Sequence, residues 1–454
     1  MKLDKNTIIV VVWSIFAIGA ATDLEFGSII PNQFIVVFNT DIQDADVTTH
    51  FTELNHTITS ITRTSDTHPL SDPAVNIEIN HLDFDGKLKG YTAFITSDVF
   101  ISDEQLVSIK QAICDSPQVS FVEHDRVCVV SDRTVGGRGG GISAALLHWY
   151  GPFHRLSLGG KEAEDFVVQE GAAWNLVRLS HRTLKASSAS TSYIFPDSAG
   201  LGTTVFVVDT GIDVTHPQIA GRATWGTSLV RAPNTTEFVN FDDNSHGTHV
   251  AGTIASTTYG VAKEASLVAV KVMDARGSGN TSTILAGLQW VLNNAKEPSK
   301  SIINTSLRMS SSRAIDITAG IMLNKGIAWA AAAGNQGADA CSNSPNRVDG
   351  VMTVGAITWQ DMVPRYSNQG PCVNIFAPGS NITSILPRNG FGVKSGTSMA
   401  APMVSGLFAL ARSVHPELSS VKELNEYVLK YATYGVLDGL NTSTPNRLGY
   451  SRFH

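Results

Sequence analysis

Four short runs constrain this chain more than any other feature. Residues 205–208, 267–272 and 327–331 are dominated by apolar residues, 301–305 has Ile302-Ile303 at its centre, and none shows a steady alternation. A strand with one wet face alternates, whereas a strand covered on both faces does not. Longer stretches with helical character, 249–256, 281–295, 312–325 and 403–415, lie between or after these runs. Buried strands separated by helices predict an α/β fold built on a doubly wound, mostly parallel sheet. In such sheets functional groups gather beyond the carboxyl ends of strands. Asp209 follows the first run directly.

Three further segments carry chemistry in a fixed order. His246 opens His-Gly-Thr-His, Asn335 closes Ala-Ala-Gly-Asn, and Ser398 lies within Gly-Thr-Ser-Met-Ala-Ala-Pro, ahead of the apolar run 403–411. A serine hydroxyl is a weak nucleophile until a base takes its proton. Histidine is the base whose pKa lies near working pH, and a carboxylate can orient it. Each residue alone has a plainer reading: Asp209 as a turn, His246 as a helix cap, Asn335 as a Gly-Asn turn, Ser398 as a loop entering a core helix. Four in one order favour the catalytic reading. His249 reads as a second, packed histidine, and with no third ligand nearby no metal site is expected.

With these motifs in place, 171–450 resembles the subtilisin-like serine proteases of the proteinase K branch, near their fungal vacuolar members. The resemblance implies a triad of Asp209, His246 and Ser398, with Asn335 donating to the oxyanion. It implies that Gly277-Ser278-Gly279 and Ser306-Leu307 pair with the substrate backbone, and that Cys341 and Cys372 form a disulfide, against the alternative of two buried thiols. No cofactor is expected. Where relatives supply a carboxylate to calcium, this chain has Asn374, which weakens such a site. The clearest departure is Arg308-Met309 in place of two glycines after Ser306-Leu307. It predicts altered specificity through a narrowed or more positive primary pocket. Ser245 and Met403 stand where glycine and histidine are common.

The 454 residues exceed one ordinary domain. Residues 1–21 have the layout of a signal peptide, with Lys2 and Lys5 ahead of an apolar run too short to span a bilayer. Residues 31–130 form a small α+β unit resembling the inhibitory prodomain of the same proteases; the pairing of its Cys114 and Cys128 is not readable. Residues 131–168 read as a linker holding the maturation site, placed near 155–170, and 169–454 as the peptidase domain. The cluster 146–150, Leu-Leu-His-Trp-Tyr, has no ready account in a linker. Six Asn-X-Ser/Thr sites occur, of which Asn304 is expected to be buried and unmodified. A formal net charge of −7 without a basic stripe argues against nucleic acid. The expectation is a secreted or vacuolar serine endopeptidase, monomeric and free of the membrane after signal removal. It would act on proteins or peptides, with its own propeptide as inhibitor. The alternative is a catalytically impaired fold acting as a binding or decoy protein.

Overall fold

A computed structural model of the chain describes residues 26–40, 42–62, 75–97, 103–130, 153–156, 165–233 and 235–453. Residues 1–21, the cluster 146–150 and most of the 131–168 linker lie outside them. The N-terminal unit runs β1 (Ile29–Phe38), α1 (Asp44–Thr62), β2 (Val75–Phe84), β3 (Leu88–Ser97), α2 (Asp103–Cys114) and β4 (Val119–Val130). Its antiparallel strands are ordered β4-β1-β3-β2. Phe34, Val36 and Phe38 of β1 pack with Leu54, Ile58, Ile109 and Ile113 of the two helices. Ile35 and Val37 point the other way, into a core shared with the large domain. Both faces of β1 are thus covered, which is why its sequence does not alternate.

The large domain begins with β5 (Phe153–Leu156), β6 (Phe166–Gln169), α3 (Trp174–Leu179), α4 (Leu184–Ser188) and β7 (Tyr193–Pro196). The central elements are β8 (Thr204–Asp209), β9 (Ala223–Ser228), α5 (His246–Ala255), β10 (Ser266–Lys271), β11 (Ser278–Asn280), α6 (Thr281–Asn294), β12 (Ser301–Thr305), β13 (Leu307–Arg308), α7 (Arg313–Asn324), β14 (Ala328–Ala332), β15 (Met352–Ile357) and β16 (Ile375–Pro378). The chain closes with β17 (Ile382–Leu386), β18 (Gly390–Lys394), α8 (Thr397–Val414), α9 (Val421–Tyr431), β19 (Thr433–Tyr434) and β20 (Arg447–Leu448). Strands β9-β10-β8-β12-β14-β15-β16 are parallel neighbours, and β20 and β19 extend that edge. Val205 and Val207 of β8 pack with Val250, Leu407 and Phe408 of α5 and α8. Phe206 and Val208 pack with Ile284, Leu288 and Ile315 of α6 and α7. The doubly wound parallel sheet expected from the apolar runs is the fold observed.

Two helix starts differ from the sequence reading. Helix α5 begins at His246 and α8 at Thr397, so both key side chains stand in a first turn. Pro402 sits inside α8 rather than opening it. Proline has no N–H to give to the carbonyl four residues back, and that carbonyl, of Ser398, instead accepts from Ser306 Oγ at 2.8 Å. Helix α1 and strand β2 were not anticipated, and β4 runs to Val130, the last residue of the expected unit.

Two carboxylates on β4 fasten the N-terminal unit to the large domain. Glu123 accepts from Ser312 Oγ at 2.5 Å and from Arg313 N at 3.1 Å, at the start of α7. Asp125 accepts from Ser282 Oγ at 2.5 Å and Ser282 N at 3.0 Å, at the start of α6. Each caps free N–H groups and meets the positive end of a helix dipole. Burial pushes both carboxyls above the ordinary carboxylate range, although the hydrogen bonds pull the other way. Asp125→Ala should cost docking about 1 kcal/mol. That would appear as roughly fivefold faster amide exchange along β4 in the full-length chain.

Candidate active site

The site forms where β8, β12 and β14 end side by side. Asp209 is the last residue of β8, Ser306 follows β12, and Asn335 comes shortly after β14. His246 Nδ1 donates to Asp209 Oδ1 at 2.7 Å, and both side chains are fully buried. That contact fixes the tautomer: Nδ1 carries the proton and Nε2 the lone pair. Nε2 has no hydrogen-bond partner among the described residues. Ser398 Oγ donates to the Ser306 carbonyl at 2.9 Å, reciprocating the bond from Ser306 Oγ to the Ser398 carbonyl. Asn335 is held by its oxygen, which accepts from Thr397 N and Thr397 Oγ1, each at 2.9 Å. The amide is thereby fixed beside the turn that carries Ser398.

A network unremarked in the sequence reading aligns these groups. Asp242 Oδ1 accepts from Thr210 Oγ1, Asn244 N and Ser245 N, and Oδ2 from Thr248 N and Thr248 Oγ1, at 2.6–3.1 Å. Thr210 Oγ1 in turn accepts from Gly247 N at 2.9 Å. One buried carboxylate therefore ties the residue after Asp209 to the helix start that carries His246. The approach is close enough that a Cβ on residue 247 would overlap the Gly211 carbonyl. Beside it, Lys271 Nζ is fully buried and donates to Thr210 O at 2.6 Å, Met273 O at 2.9 Å and Asp243 Oδ1 at 2.6 Å. Asp242 lies four residues before the helix start, outside the N-cap position held by Ser245, so its role has no ready signal in the sequence.

His249 donates from Nε2 to Ile382 O at 2.9 Å, and burial pushes its pKa down to about 3. It is a neutral, packed histidine, and no cluster of three metal-ligating side chains occurs among the described residues. Asn374 Oδ1 accepts from Thr353 N at 2.7 Å. Cys341 and Cys372 are joined, whereas Cys114 and Cys128 are free. Asn304 is fully buried, its amide bonded to Ser306 Oγ and Ser405 Oγ.

The two expected substrate-binding stretches are edges of one gap, and β4 fills it. Ser278, Gly279 and Asn280 of β11 pair antiparallel with Val129, Cys128 and Val127. Leu307 and Arg308 of β13 pair antiparallel with Val130 and Val129 on the other side. Val130 N also donates to Gly277 O at 2.9 Å. Met309 is buried in the core that holds α6 and α7, whereas Arg308 remains partly exposed at the cleft edge.

Residues 200–450, more than half of the chain, match the subtilase family. This chain belongs to the subtilase family. The subtilase is 32% identical over 450 residues to subtilisin-like protease 3 of Saccharomyces cerevisiae, covering 93% of this chain and 84% of that one. It is 43% identical over 291 residues to the subtilase-type proteinase psp3 of Schizosaccharomyces pombe, covering 63% of each. Among solved structures it is similar to a cold-adapted subtilisin-like serine proteinase, with 37% identity and a TM-score of 0.58. That match spans 63% of this chain and the whole of the other.

Ser245, the residue before His246, has φ of +89°. This left-handed conformation favours glycine. Ser245→Gly should stabilise the subtilase by about 0.5–1 kcal/mol through relief of that strain, read as a raised midpoint in urea unfolding.

Proposed function

We propose that this chain is a serine endopeptidase made as a zymogen, and that the N-terminal unit is its intramolecular inhibitor. The observation that carries the reading is β4. It lies in the gap between β11 and β13 as an extended peptide would, and its end is directed toward the Ser306–Ser398 pair. Backbone pairing of this kind binds peptides with little dependence on their side chains.

In the proposed reaction the Ser398 hydroxyl turns from the Ser306 carbonyl to His246 Nε2, which takes its proton as Oγ attacks the peptide carbonyl. Asp209 holds the ring and stabilises the imidazolium. Asn335 Nδ2 donates to the oxygen that becomes negative. The imidazolium then protonates the leaving amine, the C–N bond breaks, and an acyl-enzyme remains. Water, deprotonated by the same ring, releases the acid and restores the serine. All of these groups come from one chain, in keeping with a monomer.

The register also bears on maturation. Val130 lies opposite Leu307, so in a bound peptide of the same register the following residue would meet Ser306, whose carbonyl accepts from Ser398 Oγ. This favours a first cut just beyond Val130 over one near 155–170. The apolar run in 1–21, the acceptor sequons and the disulfide support entry to the secretory route, toward an extracellular or vacuolar destination. Among the described residues no helix is long and apolar enough to cross a membrane. The impaired-fold alternative rested on Arg308, Met309 and the unusual linker; against it stand the direct contact of His246 with Asp209 and the burial of Met309 in the core.

N-terminal sequencing of the purified product tests both ideas. Wild type should start a few residues after 130, and Ser398→Ala should remain uncut. A Ser398→Ala chain processed at the same bond in a protease-free host would refute self-cleavage. Asn335→Ala should lower turnover by about 10²–10³-fold with KM little changed. That magnitude is the one established for an oxyanion donor in a subtilisin, not one derived from this geometry.

A further inference from the structure

Arg308 lies in β13 directly opposite Val129 of β4. Residues opposed in an antiparallel pair project to the same face, with Cβ atoms about 4.5–5.5 Å apart. Any peptide that replaces β4 must therefore set one side chain beside this guanidinium. In the closed chain Val129 offers only methyl groups, and the guanidinium turns instead to the ring of Phe26. Its central carbon is 3.4 Å from the ring centroid. Phe26 precedes a segment that is hydrogen-bonded to β4: Gly27 N donates to Val127 O, and Val127 N to Ser28 O, each at 3.0 Å. The ring thus belongs to the N-terminal unit and departs with it.

What remains is an arginine with an unmet need. Among the described residues its Nε is buried without a hydrogen-bond partner and no ion pair involves it. An aromatic face attracts the cation but accepts none of its in-plane N–H groups as a carboxylate does. A carboxylate on the opposed residue would accept them across the strands.

We infer that Arg308 determines specificity: the opened cleft selects peptides with an acidic side chain at the place Val129 holds in the closed chain. That place is two residues upstream of the residue whose carbonyl meets Ser398. This departs from the expectation that Arg308 acts on the primary pocket, and it rests on the peptidase reading above. Met309, sunk in the core, has no part in it.

The test uses the matured enzyme and fluorogenic peptides that differ only at that position, with Glu, Gln, Val, Phe or Lys. At low salt kcat/KM for Glu should exceed Gln by about threefold and Lys by about tenfold, the scale of a partly exposed cross-strand ion pair. Half-molar salt should shrink both ratios. Arg308→Lys should keep the order Glu over Gln over Lys, and Arg308→Gln should flatten it. Wild type that cleaves the Val peptide but treats Glu, Gln and Lys alike would overturn the inference and leave the peptidase reading intact. A preference for Phe with Glu equal to Gln would overturn it as well, showing that the ring contact sets the choice. Failure to cleave any of the five would remove the peptidase reading, and the inference with it. Should Arg308→Gln misfold, the salt series on wild type and Arg308→Lys still decide the matter.

Discussion

Two short strand edges, β11 and β13, face each other across a gap one strand wide. Their backbone donors and acceptors cannot reach one another, and an unpaired edge invites a third strand. The seat of β4 follows from that gap, as do, in the function proposed above, the direction of a bound peptide and the side chain presented to Arg308. The N-terminal unit occupies it with β4, and the caps at Glu123 and Asp125 hold that strand in register from outside the gap. On the function proposed above, inhibition and substrate binding are one interaction, made first by β4 and then by a separate peptide.

The groups proposed to react depend on a second device with a different logic. Asp209 and His246 come from a strand end and a helix start thirty-seven positions apart. A single contact at 2.7 Å would not by itself orient a ring. The five hydrogen bonds at Asp242, with Thr210 bridging, turn two loose ends into one rigid corner. Lys271 pins the same corner from beneath. Preorganisation of this kind lets a buried pair hold its geometry while the substrate changes.

The parallel sheet was legible because burial on both faces leaves its mark on composition, and the 205–208 run carries it plainly. Asp209, His246, Asn335 and Ser398 were legible because their neighbours are as constrained as they are. Gly247 must be small against Gly211, and Thr397 must hold Asn335. Other features were hidden for physical reasons. The end of β4 finds its partners in the large domain, about 150 residues on or more, so nothing local distinguishes Val127 to Val130 from linker. Helix α1 is rich in threonine and other weak helix formers and owes its form to packing on β1. The turn holding Ser398 looked like a loop because Pro402 suggests a boundary, and only the Ser306 hydroxyl explains why it is not one.

Asn304 carries one more consequence. Its amide lies in the middle of the central sheet, tied to Ser306 and Ser405, yet it begins a glycan acceptor sequence. Oligosaccharide transfer acts on chains that are still open, so on the secretory route proposed above β12 would be in a race. A sugar added there could never be accommodated between β8 and β14. Any molecule bearing it would be a casualty of slow folding, and occupancy at that one asparagine would serve as a clock for how quickly the sheet closes.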